Sequence, residues 1–175
     1  RPYRAVCEES FFDAYASWFE DGTLQPVDNA LGRSIEAGRG DVPALVHHDG
    51  QGGRRTFSYA ELQREVEALA AGLASLQLHA GDRVALCLPD VPEAVVLALA
   101  CARQGLTYVP IALGHAAEVI ERILDNCAAS LAVVVGGDDP AAGPLAEAAA
   151  RRLGPERVVT LGQPALPGLR SYAEL

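Results

Sequence analysis

The stretch RVALCLPDVPEAVVLALACARQGLTYVPIA, residues 83–112, decides the fold class of this chain. Its opening run, 83–88, predicts a strand, and the apolar residues that follow Pro92 predict a helix that ends at Arg103. Residues 107–112 predict a second strand. A strand, a helix and a strand at this spacing form a βαβ unit, and such a unit belongs to a parallel sheet.

The same alternation continues towards the end of the chain. Helices are predicted over 116–127 and 144–153, and strands over 131–135 and 157–161. The strand at 131–135, LAVVV, is apolar throughout, which is typical of a parallel strand covered by helices on both faces. We therefore predict an α/β fold: a doubly wound, mainly parallel open sheet with flanking helices, preceded by a β-hairpin and short helices.

The hairpin precedes the first long helix. Residues 44–48 and 54–57 predict its two strands, and the Gly-rich run 49–53 predicts the turn between them. The following residues, Ser58-Tyr59-Ala60-Glu61, form a capping-box sequence, in which Ser58 and Glu61 each accept a main-chain hydrogen bond from the other. Apolar residues at intervals of three or four then predict a helix as far as Leu76.

The two ends of the chain are less regular. Residues 11–19 place apolar side chains on one helical face, and 29–37 predict a second short helix. Prolines and glycines after Gly162 predict a loop with a short helical stub at Tyr172. We expect three parts: an N-terminal lead, an α/β subdomain and a terminal loop, at residues 1–40, 41–162 and 163–175.

Composition excludes several classes of function. The formal net charge of −9 argues against nucleic acids and anionic membrane surfaces as partners. No apolar run reaches the about 18–20 residues that span a bilayer. The four cysteines form no CxxC motif, so we expect reduced thiols in a cytoplasmic protein. The sequence contains no methionine, and we therefore expect a piece of a longer protein.

Few residues suggest chemistry. Residues 136–139, GGDD, follow a strand but lack the spacing and the positive charge of a phosphate-binding loop. His47 and His48 are adjacent on a strand, so they face opposite ways and cannot share a metal ion. Asp90 and Glu93 are interpreted as charges at a helix N-terminus.

His115 follows the carboxyl end of a strand and is the one candidate ligand-loop residue. We predict no catalytic residue, no metal site and no cofactor within the segment.

Several blocks, in order along the chain, resemble one family. The chain is similar to the AMP-forming acyl-CoA synthetases of the adenylate-forming enzyme superfamily, and most to the N-terminal subdomain of the acetyl- and propionyl-CoA synthetase branch. The blocks that carry the resemblance are WFEDGTL (18–24), VDNAL (27–31), IEAGRGD (35–41), RTFSYAEL (55–62), GDRVA (81–85), PDVPEAV (89–95), ACARQG (100–105) and RILD (122–125).

The resemblance implies an ATP-dependent acid–thiol ligase. Such enzymes use ATP and Mg²⁺ to convert a carboxylic acid into an acyl-adenylate, and then pass the acyl group to CoA or to a carrier-protein thiol. The family's phosphate loop and catalytic lysine lie outside the resembling blocks, so we expect this segment alone to be inactive. Gly114 matches a glycine in the family's CoA-binding turn. Two arginines that contact CoA in that branch correspond to the stretch 136–143, GGDDPAAG, which has no arginine and two carboxylates and so favours an acceptor other than free CoA.

Two other interpretations remain open at this point. The chain could be a non-catalytic scaffold or protein-binding module derived from such a ligase. A free-standing α/β nucleotide binder is a third interpretation, against which the missing glycine fingerprint counts. We also expect self-association through an exposed edge of the parallel sheet.

Overall fold

A computed structural model describes residues 2–10, 15–137, 139–164 and 166–175. The first elements are an antiparallel ribbon, two π-helical turns and an antiparallel hairpin: β1 (Ala5–Ser10), β2 (Tyr15–Glu20), the turns Asp28–Gly32 and Ile35–Arg39, β3 (Pro43–His48) and β4 (Arg54–Ser58). Helices and strands then alternate as α1 (Tyr59–Ser75), β5 (Arg83–Cys87), α2 (Pro92–Gln104), β6 (Thr107–Pro110), α3 (Ala117–Asn126), β7 (Leu131–Val135), α4 (Ala142–Leu153), β8 (Val158–Leu161) and β9 (Arg170–Ser171).

The central sheet contains five strands in the order β6-β5-β7-β8-β9, and every neighbouring pair is parallel. Helices α1 and α2 cover one face, and α3 and α4 cover the other. The predicted doubly wound α/β class is therefore confirmed. The hairpin of β3 and β4 and the helical turns precede this sheet, also as predicted.

Strand β7 shows why the sheet requires helices on both faces. All five of its residues are buried. Leu131 and Val133 belong to the core beneath α1 and α2, whereas Ala132 and Val134 belong to the core beneath α3 and α4. Each buried Leu or Val contributes about 1.5–3 kcal/mol relative to an exposed one, so the strand stabilises both layers at once.

The capping box at the start of α1 forms as predicted. The main-chain N–H of Glu61 donates to Ser58 Oγ at 3.2 Å, and the N–H of Ser58 donates to Glu61 Oε2 at 2.8 Å. The main-chain hydrogen bond from Ser58 lowers the pKa of the Glu61 carboxyl. These two contacts satisfy main-chain donors that a helix N-terminus otherwise leaves open.

The N-terminal lead differs from the prediction. The helix predicted over 11–19 is wrong for its second half, because Tyr15–Glu20 is strand β2, paired with β1; its first four residues lie outside the described part of the chain. Tyr15 and Trp18 remain 61% and 63% exposed, so no core lies behind the apolar pattern to favour a helix. The helix predicted over 29–37 is helical, but as the two π turns.

The end of the chain adds one strand that the sequence did not predict. Residues Arg170–Ser171 form β9 beside β8, where Thr160 Oγ1 donates to the carbonyl oxygen of Arg170 at 3.1 Å. Two residues are too few for a period-two pattern, so only the helical stub, Tyr172–Glu174, was recognisable in advance. Strands β9 and β6 therefore form the two edges of the sheet.

Strand β6 is an edge that another strand cannot extend easily. The N–H groups of Thr107 and Ile111 donate to carbonyl oxygens on the β5 side, at 2.8 and 2.9 Å. By alternation, the main-chain groups of Tyr108 and Pro110 point away from β5. Proline has no N–H, so this edge offers one donor where two would be needed. A strand added at β6 would thus find fewer main-chain donors than usual, and self-association through a sheet edge stays a prediction.

Candidate functional site

The carboxyl ends of β5 and β7 define the place where this fold can hold a ligand. The two strands are neighbours, but β5 leads to α2 on one face and β7 leads to α4 on the other. Open α/β sheets bind ligands where connections diverge in this way. The loops at this edge are residues 88–91, 111–116, 136–141 and 162–164.

The loop after β6 contains both candidate residues from the sequence, Gly114 and His115. Gly114 has a φ of +93°, and no atom lies within 4 Å of the position that a Cβ would take. Glycine is therefore required here by backbone conformation and not by space. His115 is exposed and makes no hydrogen bond or ion pair within the described part of the chain. The loop is thus open to solvent and presents an imidazole.

The loop after β7 is closed to phosphate. The N–H groups of Gly136 and Gly137 donate to the carbonyl oxygens of Leu161 and Gln163, both at 2.8 Å. A Cβ on Gly136 would lie 2.5 Å from Gln163 O, so this glycine permits close contact with the neighbouring loop. A phosphate cradle needs free N–H groups, and these two are already bonded.

One of the two carboxylates in that loop has a structural role. Asp139 Oδ1 accepts a hydrogen bond from the N–H of Ala141 at 2.8 Å, and Asp139 O accepts one from Ala142 at 2.9 Å. Asp139 therefore forms the turn that begins α4. Asp138, the other carboxylate, lies outside the described residues.

The β3–β4 hairpin holds the loop after β5. His47 Nε2 donates to the carbonyl oxygen of Asp90 at 2.9 Å, and Arg55 Nη1 lies 2.7 Å from Glu93 Oε1. The Arg55 guanidinium also lies over the ring of Phe57, 5.3 Å from its centroid. Glu93 is in the first turn of α2, as predicted. Its partner is about forty residues away in the sequence, and no local pattern indicates it.

The charges at this edge do not suit a polyphosphate. The four carboxyl-edge loops contain no arginine, and the chain has no lysine. Arg55 is near the edge but is paired with Glu93. Within the described ranges, no three His, Cys, Asp or Glu side chains come together in a way that could hold a metal ion. Mg²⁺, which binds through carboxylate oxygens and substrate phosphates, therefore does not fit the residues present here.

The buried cysteines do not supply a nucleophile. Burial raises the pKa of the Cys87 thiol to about 12, and that of Cys101 to about 12. Both side chains lie in the two cores beneath the helices. At neutral pH they are protonated and inert.

Comparison with known proteins assigns the fold to a class. A solved acetoacetyl-CoA synthetase from Streptomyces lividans superposes with a TM-score of 0.83 at 29% identity, over 98% of this chain and 28% of that one. The fold is thus that of one α/β subdomain of the adenylate-forming enzymes.

The family follows from the sequence comparisons. The profile described as AMP-binding enzyme matches residues 33–171, and the chain belongs to that family. Acetyl-coenzyme A synthetase of Streptomyces avermitilis is 41% identical over 124 residues, and that of Mycobacterium tuberculosis strain H37Rv is 40% identical over 125 residues. Each match covers 70% of this chain and 19% of the relative, so the chain spans about a fifth of the length of these relatives. None of the described helices is both long and apolar enough to cross a membrane.

Proposed function

We propose that this chain is the N-terminal α/β part of an ATP-dependent acid–thiol ligase. Such an enzyme activates a carboxylic acid as an acyl-adenylate and passes the acyl group to CoA or to a carrier thiol. The observation that carries the proposal is the family match over residues 33–171, together with relatives named acetyl-coenzyme A synthetase. We place the reaction in the cytoplasm, in keeping with four free cysteines.

The role of this part is architectural. Phosphoryl and adenylyl transfer depend on groups that stabilise developing negative charge. The carboxyl-edge loops provide no arginine and no metal-binding cluster among the described residues, and the N–H groups of Gly136 and Gly137 are bonded internally. We therefore assign no step of adenylation to this segment and expect the 175-residue chain alone to be inactive.

The proposal on the acceptor thiol concerns the loop after β6. This open loop contains Gly114, which we match to a glycine of the family's CoA-binding turn, and His115. Around it, the carboxylates of Asp90 and Asp139 stand at the same edge, and no arginine accompanies them. Negative charge here opposes the 3′-phosphate of CoA. We propose that the acceptor is a thiol other than free CoA, such as that of a carrier protein.

The acceptor proposal can be tested on the polypeptide that contains this chain. Thioester formation is measured with free CoA and with a phosphopantetheinyl carrier protein at matched concentrations. We expect the carrier to be acylated at lower concentration, because it lacks the 3′-phosphate. Ordinary saturation with free CoA that is lost in Gly114→Val would contradict the proposal.

A non-catalytic scaffold derived from such a ligase is the second candidate. It is favoured by the GGDD stretch, which carries carboxylates where the CoA-synthetase branch has arginines. The two candidates differ in acid-dependent ATP–pyrophosphate exchange by the polypeptide that contains this chain. A ligase exchanges label with at least one short carboxylic acid. A scaffold exchanges none, and the gene after Leu175 then encodes no Ser/Thr/Gly-rich loop ending in lysine.

A further inference from the structure

We draw no further inference here: the strongest candidate, the groove of about 570 Å³ between helix α2 and strand β6 that Val95, Leu99 and Tyr108 line, is an uncovered apolar surface, and nothing in the structure shows what covers it.

Discussion

At the amino-terminal edge of the central sheet, Arg83 donates hydrogen bonds to three carbonyl oxygens, whereas at the carboxyl-terminal edge Gly114 and His115 lie in an open loop. The Arg83 bonds reach Cys127, Ala128 and Gly81 at 2.8, 2.7 and 3.1 Å. Arg157 similarly donates to Leu76 O at the end of α1, at 3.0 Å. Guanidinium groups thus satisfy the carbonyls at helix C-termini, where positive charge also complements the helix dipole.

The two edges of the sheet differ in role: the amino-terminal edge stabilises the fold, and the carboxyl-terminal edge is where a ligand is expected. The most recognisable motif, Gly81-Asp82-Arg83, lies at the amino-terminal edge and holds loops and helix ends together. Asp82 Oδ2 accepts a hydrogen bond from the N–H of His79 at 2.8 Å, and the N–H of Gly81 donates to Gly105 O at 2.8 Å. The motif is therefore a signature of the fold that the family shares, and we assign it no part in binding substrate. Substrate-dependent differences are expected at the opposite edge, in the loop that contains Gly114 and His115.

The largest effect on stability should come from breaking the amino-terminal edge. Arg83→Met keeps the length of the side chain but removes donors to two carbonyls at the end of α3. We expect a loss of about 3 kcal/mol in the free energy of unfolding, measured with urea. Arg122→Met, on the exposed face of α3 and without a partner among the described residues, is the matched control and should change it by less than about 0.5 kcal/mol. Equal effects would refute the assigned role of Arg83.

Substitutions of the two glycines at the carboxyl-terminal edge should each reduce the free energy of unfolding by less than Arg83→Met does, and by different amounts. Gly136→Ala places a Cβ 2.5 Å from Gln163 O, so the loops must separate at a cost of about 2 kcal/mol. Gly114→Ala meets no atom and strains only the backbone at φ +93°, at about 1 kcal/mol. Thermal unfolding of both variants checks the order. A more damaging Gly114→Ala would mean that the loop after β6 is packed and not open.

An effect as small as that of Gly114→Ala is expected at the capping box, which belongs to neither edge loop and serves as a reference. Ser58→Ala should cost about 1 kcal/mol. The folded-state pKa of Glu61 is below its ordinary value of 4.5, so its contribution is fully present above that pH and is lost as pH falls through the folded pKa. Glu61→Gln should therefore flatten the acid limb of a stability–pH curve. An unchanged acid limb would show that the Glu61 carboxylate does not support the cap.

Much of the fold was predictable because its signals are local. The apolar strand at 131–135, the Pro92 helix start and the Ser58 cap each depend on neighbouring residues, and each forms. The ribbon strand β2 was missed because helical periodicity indicates a helix only where a core buries one face.

The site contacts could not be read from the sequence, because they join distant residues. His47 meets Asp90, and the N–H of Gly136 meets Leu161 O, only after the chain has folded. The resemblance predicted Gly114 as a CoA-binding residue, and its place after a strand predicted His115 as a ligand-loop residue. Both lie in the loop after β6, and their roles stay predictions.

We propose that this segment provides the fold of an adenylate-forming enzyme without its chemistry. The most direct test is ATP–pyrophosphate exchange by the 175-residue chain, with Mg²⁺ and a panel of short carboxylic acids. Circular dichroism first establishes that the chain is folded. We expect no exchange above a protein-free blank with any acid. Acid-dependent exchange by the purified chain would contradict it.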